Sequence, residues 1–352
     1  MIKMLRKKLL PIISVVFLTA CAGEGTIGTK TVKDLAGVEV SIPSHPERIV
    51  CRSGNGTSFL VAMGLEDRLV GTANYMLPNP WVDYFCPRIK DIPGFAWEPS
   101  AEELFATNTD LVMLPDPLVA ESLRTGGLTA VTYKQYNIGE ILSSVDFLKN
   151  VFDDNQSKSF LDDWLSYYHE TINYVEKQLK DIKEEDRLIV HYVYAASNKG
   201  PTRSVGGGGI YESWAEQSGM SLATKQYPAE NKYANEEELL KIDPDIIMIG
   251  GNAQEDVYDA LLVNTTWSGV KALKNNKVFR IPVGFLSWDM YGIEYPLWVL
   301  WTAKQVYPDL IEKDIAQETY SFYKKFYNKE LSNTHLNNLL NGKSPDGRKL
   351  NA

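Results

Sequence analysis

From Asp154 to Asp186 the chain holds no Gly and no Pro. Its apolar residues Leu161, Leu165, Tyr168, Ile172, Val175, Leu179 and Ile182 fall in alternating steps of four and three. That spacing sets them on one face of an α-helix, with acids and lysines on the other. About 28 residues of helix would reach about 40 Å, the span of a small domain. Upstream, residues 102–114 read EELFATNTDLVML; downstream, residues 237–249 read EELLKIDPDIIMI. Each is Glu-Glu-Leu, an apolar residue, four positions, Asp and four apolar residues. Both read as a short helix with an acidic start, a turn and a buried parallel strand. Two echoed αβ units flanking one long helix predict two similar lobes joined by a rigid strut. The plainer alternatives are an ordinary amphipathic helix and a chance likeness of two αβ units.

The remaining pattern extends this to an α/β fold, two Rossmann-like lobes with central parallel sheets joined by one long α-helix. Strands are expected at 48–51, 69–72, 111–114 and 130–133 in a first lobe (31–153), then at 187–195, 246–249 and 278–283 in a second (187–331). The connecting helix takes 154–186. The Asn-, Lys- and Gly-rich stretch 332–352 is expected to be a flexible tail. A parallel sheet places its ligand crevice outside the carboxyl ends of its strands. The candidates there are Arg52, Asn55, Tyr75, Trp97 and Asp116 in the first lobe, and Arg203, Asn252, Trp288 and Tyr291 in the second. Tyr75 and Trp97 bound a Pro-rich aromatic loop too long for a plain connection. Arg203 reads equally as an anion contact or as an ordinary surface arginine. Gly206–Gly209 precede a helix start, but no Lys-Ser/Thr follows, so a nucleotide cradle is disfavoured. Those glycines are expected to admit a ligand to the backbone or to make a tight loop.

The N-terminus changes the picture of where the protein works. Residues 1–21 read MIKMLRKKLLPIISVVFLTAC, with a basic start and an apolar run too short to span a bilayer. The ending Leu18-Thr19-Ala20-Cys21 looks like a bacterial lipobox. It implies cleavage before Cys21, lipid on its sulfur and a short tether over 22–30, so that the mature protein is exported and lipid-anchored. A plain signal peptide and an uncleaved anchor are the alternatives. Cys51 and Cys86 are then either a disulfide pair or two buried thiols. The 352 residues carry 44% apolar and 23% charged side chains, as a globular protein with a real core does. A net charge of −9 argues against a nucleic-acid partner. The eight Trp and nineteen Tyr suggest an aromatic ligand surface, although most would serve packing.

TVKDLAGVEVSIPSHPERIV, residues 31–50, reads as a hairpin, a Pro-bounded loop and the first core strand. It resembles the opening of the solute-binding proteins of ABC importers for iron-siderophores, haem and cobalamin, the class with one long connecting helix. The two EEL…D units, the strut and LWVLWTAKQVYPDL at 297–310 fall in matching order, so that the resemblance covers about residues 31–327. It implies a receptor that binds its cargo between the lobes. It also implies an ABC permease dimer and its ATPase as partners. Glu102 and Glu237 match the acids that pair with Arg on the two permease subunits; helix N-terminal acids offsetting the macrodipole are the other reading. Their neighbours Glu103 and Glu238 could share either role. Met290 stands where the family often has a basic residue.

Catalytic and metal chemistry are weakly represented. His45, His169, His191 and His335 are scattered, with no HxxxH, HExxH or CxxC spacing, so no protein-ligated metal and no cofactor is expected. No G-x-S-x-G elbow or Walker motif occurs. The sequence reading is a monomeric receptor for an iron chelate, haem or corrinoid. An oxyanion such as molybdate or tungstate, and a nickel chelate, remain open as cargo. An exported α/β enzyme and an adhesion module are the readings from other classes.

Overall fold

The computed structural model describes residues 28–195, 200–229, 234–251 and 253–350. Strands β1 (Thr29–Lys33) and β2 (Glu39–Pro43) form an antiparallel hairpin. Asp34 sets its turn by accepting the Ala36 and Val38 N–H groups, while Gly37 takes a left-handed φ of +84°. The other carboxylate oxygen of Asp34 accepts the Thr132 N–H at 2.9 Å, which pins the hairpin to the first lobe.

The first lobe holds β3 (Ile49–Cys51), β4 (Leu69–Ala73), β5 (Gly94–Phe95), β6 (Leu111–Leu114) and β7 (Ala130–Thr132) in the order β5-β4-β3-β6-β7, all parallel. The second holds β8 (Leu188–Tyr194), β9 (Met220–Leu222), β10 (Ile246–Gly250) and β11 (Val278–Arg280) in the order β11-β10-β8-β9, also parallel. The strands are buried on both faces, as the unbroken apolar runs LVML and IIMIG require. Each order reverses direction once, between β3 and β6 and between β8 and β10. Ligand crevices of doubly wound sheets open at such points.

The amphipathic stretch forms a 25-residue helix, Asn155–Leu179, capped by Asp154 accepting the Ser157 N–H at 2.9 Å. Leu161, Tyr168, Ile172, Val175 and Leu179 are buried, and Leu165 and Ile182 partly so. The helix packs on Tyr295–Val306 of the second lobe and Ile138–Val151 of the first. Trp164 ties the two: its ring meets Phe59 edge-on at 5.0 Å and its Nε1 donates to the Ile293 carbonyl at 2.9 Å. Past Leu179 the chain turns through Ile182 before entering β8.

The stretch from Ser332, expected to be flexible, is instead built into the fold. Ser332 caps helix Asn333–Leu340, and Leu336, Leu339 and Leu350 are buried. The Trp81 Nε1 donates to the Lys343 carbonyl at 2.7 Å, and the Val283 N–H donates to the Leu339 carbonyl at 3.0 Å. The segment therefore straps both lobes. Its polar composition concealed leucines at helical spacing, which supply the apolar face that composition alone denied it.

Candidate functional site

One cavity of about 390 Å³ lies between the lobes, at the carboxyl ends of β3, β6 and β7 on one side and of β8 and β10 on the other. Five of the nine residues expected to reach the ligand line it: Arg52, Asn55, Tyr75, Trp97 and Tyr291.

Arg52 directly follows β3 and is buried. Its guanidinium carbon lies 4.7 Å from the Trp97 ring centroid, and its Nε and one terminal nitrogen have no partner among the described residues. Burial lowers its pKa from the usual arginine value, because the charged form is held away from water. The next residues begin helix Gly54–Ala62, capped by Ser53, whose positive end faces the cavity. Tyr75 closes over this turn, its hydroxyl accepting the Gly54 N–H at 2.9 Å. A side chain at Gly54 would collide with that hydroxyl, with a Cβ only 2.6 Å away. The Tyr75 ring is open to the cavity while its hydroxyl is enclosed, and burial raises its pKa.

The second lobe's wall is built around Asp289. This carboxylate is fully buried; the Tyr192 hydroxyl donates to one oxygen at 2.6 Å and the Ser287 hydroxyl to the other. Burial raises its pKa, against the pull of those two bonds. Gly250 makes the room, since a Cβ there would lie 1.8 Å from a carboxylate oxygen. In front of Asp289 stand Ser287, Tyr194 and Tyr291. Among the described residues Arg52 and Lys134 are the charged members of the lining, and Lys134 is paired with Glu140 at 2.9 Å. Among the described residues the lining contains no carboxylate.

Three expected contacts are corrected. Trp288 does not line the cavity: it is buried and donates from Nε1 to the Tyr323 hydroxyl at 3.2 Å. The short helical turn Trp288–Met290 presents Ser287 and Met290 to the cavity and rotates Trp288 into the core. Asp116 is occupied as the cap of helix Pro117–Thr125, accepting from Leu118 N–H at 2.8 Å, and its neighbour Pro115 faces the cavity instead. Arg203 stacks on the Tyr194 ring at 4.6 Å, so it supports a lining residue without being one. Asn252 and Cys21 lie outside the described residues.

The Gly-rich loop is likewise redirected. A Cβ at Gly206 would meet the Pro228 carbonyl oxygen at 1.8 Å, and at Gly207 the Lys225 oxygen at 2.2 Å. These glycines admit a neighbouring strand of backbone, not a ligand. Of the aromatic loop, Trp81 and Phe85 turn inward; Phe85 stacks on Tyr323 at 4.9 Å. Gln135, Tyr136, Tyr194 and Ser287 line the cavity without having been picked out individually. Tyr194 closes β8 and the other three follow strand ends, which was the available signal. Cys51 and Cys86 are both buried free thiols, each raised to about 11 by burial. Among the described residues no three His, Cys, Asp or Glu side chains converge on a metal-sized site, and no helix is long and apolar enough to cross a membrane.

Glu102 and Glu237 are exposed, and each is the second residue of its helix, Ala101–Phe105 and Glu236–Ile242. The next residues are committed: Glu103 accepts the Ser100 N–H and hydroxyl, and Glu238 accepts the Tyr227 hydroxyl. Among the described residues, Glu102 and Glu237 have no side-chain partner.

A family model for periplasmic binding proteins matches residues 49–283, which takes in both sheets and both sides of the cavity. The chain belongs to the periplasmic binding protein family. Its neighbours are class III members of that family, which serve siderophore, haem and metal uptake. It is similar to the molybdate-binding protein MolA of Haemophilus influenzae, 23% identical over 86% of this chain and 92% of that one. The MolA structure with molybdate superimposes with a TM-score of 0.75 at 19% identity, covering 86% of this chain and 99% of that one. A periplasmic solute-binding protein of Veillonella parvula gives 0.75 at 23% identity, covering 91% and 99%. Helicobacter pylori CeuE, in a nickel–histidine complex, gives 0.71 at 20% identity, covering 87% and 97%. This periplasmic binding protein is the exported substrate-binding component of an ABC transporter, working with permease and ATPase partners, and is not an enzyme.

Proposed function

We propose that this periplasmic binding protein is a lipid-anchored receptor for an anionic metal chelate of the iron–siderophore type, held between the lobes and delivered to the permease. The observation that carries this reading is Arg52. It is a buried guanidinium with two nitrogens that have no partner among the described residues, in a cavity whose described lining has aromatic faces and no carboxylate. A buried cation without a partner is costly, and an anion entering the cavity would supply one. The volume of about 390 Å³ falls within the range of small-molecule sites, about 300–1,000 Å³. Trp97, Tyr75, Tyr136, Tyr194 and Tyr291 offer ring faces that suit a chelate with flat organic groups. Haem and corrinoids belong to the same class of cargo.

A second reading, an oxyanion or nickel chelate, draws support from the names of MolA and of the CeuE complex. A thermal-shift series separates the two. The folded receptor is stabilised only by what it binds. Ferric catecholates, haem or cobalamin should raise the melting temperature. A rise with molybdate alone would transfer the assignment to the oxyanion.

Delivery is assigned to Glu102 and Glu237. Their equal, exposed places as second residues of two helices suit Arg forks on two permease subunits. Cys21 would carry the lipid. Cys21→Ala should release the protein from membranes, and a membrane fraction unchanged by it would remove the anchor.

A further inference from the structure

Two hydrogen bonds cross between the lobes at residues that line the cavity, Asn79 and Tyr136. The Asn79 Nδ2 donates to the Phe285 carbonyl at 3.2 Å. The Ile210 N–H donates to the Tyr136 carbonyl at 3.1 Å. They stand at opposite edges of the crevice. In the first lobe Asn79 follows β4 and Tyr136 follows β7, with the ends of β3 and β6 between them. At about 4.8 Å per strand those edges are about 14 Å apart. In the second lobe Phe285 follows β11, at one edge of the sheet, and helix Ile210–Gln217 leads into β9, at the other. Arg52 follows β3, so it falls between the two bonds in strand order. The groups that make them are held in place. Asn79 Oδ1 caps helix Pro80–Phe85 by accepting the Trp81 N–H at 3.0 Å, which turns its amide nitrogen toward Phe285. The Tyr136 N–H donates to the Glu140 carboxylate at 2.7 Å. Ile210 is the first residue of its helix, so its N–H has no partner within that helix.

The cavity is open where Tyr75, Trp97 and Tyr136 line it, since these residues are 41%, 50% and 48% exposed. Cargo can therefore enter without parting the lobes. We infer that the two crossing bonds clasp the lobes at a set spacing and so limit cargo size: the receptor takes compact anionic chelates and rejects bulky ones of the same chemistry. The inference rests on the chelate reading above and narrows it. A bulky chelate must force the lobes apart and forfeit both bonds. That would leave the buried Asn79 amide and the carbonyl of the buried Phe285 without these partners. Losing one such bond costs about fivefold in affinity, and losing both costs about tenfold or more. Asn79 and Ile210 are on this account positioning residues, which set the gap that the cargo must fit.

The test titrates the mature protein, by Trp fluorescence, with two probes that share an iron centre and a charge but differ in bulk. One is ferric tris-catecholate; the other is the ferric complex of a three-armed catecholate amide built on a benzene ring. Wild-type protein should prefer the compact probe by about tenfold or more. Ile210→Pro deletes the crossing N–H. Proline is accepted at the first position of a helix, and Gly209 before it is already extended, with φ −120°. This variant should cut the preference to about threefold by tightening the bulky probe. Ile210→Ala, which trims the same side chain but keeps the N–H, should retain the wild-type ratio. Asn79→Ser keeps a helix cap and loses the crossing donor, so it should narrow the ratio as well, and it carries the test if Ile210→Pro does not fold. The Trp81 bond to Lys343 adds a second tie at that edge, so its effect should be the smaller. A variant that is merely less stable would weaken both probes alike and leave the ratio unchanged. Equal affinity of wild type for the two probes, or a preference that survives in the folded variants, overturns the size limit and leaves the chelate reading standing. Failure of both probes to bind wild type overturns the chelate reading and the size limit together.

Discussion

Arg52 lies over Trp97, guanidinium carbon to ring centroid 4.7 Å, at the carboxyl end of the central strand of the first lobe. Trp97 is half exposed, and its ring covers one face of the buried cation. The two should be separable by mutation. Arg52→Ala removes charge-assisted hydrogen bonds, and ligand affinity should fall about 100-fold. Trp97→Ala removes a partly exposed stacking contact, and affinity should fall about threefold to tenfold. Titration of both variants checks the order; a larger loss from Trp97→Ala would mean that the ring, not the charge, holds the cargo.

Trp81 is anchored from the far end of the chain, with its Nε1 bonded to the Lys343 carbonyl. Truncation after Leu331 would strip that partner from a buried indole and remove the buried Leu336, Leu339 and Leu350. Stability should drop by about 3 kcal/mol or more, given the apolar burial lost and the orphaned donor. Urea unfolding of the truncated protein is the check. An unchanged midpoint would mean the strap contributes nothing beyond contact.

Glu102 and Glu103 are adjacent in sequence but have different work. Glu103 completes a capping box with Ser100, and those bonds hold its carboxyl below the usual glutamate range. Glu102 makes no such bond. The double reversal Glu102→Lys, Glu237→Lys should therefore leave ligand affinity and melting temperature unchanged and abolish uptake. Glu103→Ala should do the opposite, lowering the melting temperature slightly with transport intact. Normal uptake by the double variant would remove the docking assignment.

Much of this architecture was readable because it is periodic. The stripe from Leu161 to Leu179 repeats at the helical period, and the runs LVML and IIMIG have no polar interruption, so one helix and two sheet centres follow directly. The two- and three-residue strands β5 and β9 are too short to show a pattern. Cavity facing is set by loop dihedrals after each strand, which carry no period. That is why Ser287, not Trp288, faces the cavity, and why Pro115 does so in place of Asp116. Arg52 and Trp97 line the cavity as large polar and aromatic side chains at strand ends, which have few other destinations. Nothing in the sequence neighbourhood of Gln135 marks it as a lining residue.

Glu294 sits fully buried between the lobes, accepting hydroxyls of Tyr323 at 3.2 Å and Tyr327 at 3.3 Å, with its pKa pushed up to about 7 by burial. In the unfolded chain the same group titrates near 4.5. The folded state therefore keeps a proton that the unfolded state loses across roughly pH 4.5–7. The contribution of Glu294 is full below pH 4.5, declines as pH rises through 7 and is lost above it. Glu294→Gln retains an acceptor for the tyrosines and cannot ionise. Relative to wild type it should be about as stable at pH 4.5 and more stable by about 1–3 kcal/mol at pH 8. His191, depressed to about 4 by burial, has the opposite slope over an overlapping range, losing stability as pH falls from its usual value of 6.5. The difference between variant and wild type, measured by urea unfolding at each pH, isolates Glu294 from it. A difference that does not grow with pH would mean that Glu294 remains charged and solvated, and that the lobes part more readily at this seam than their packing implies.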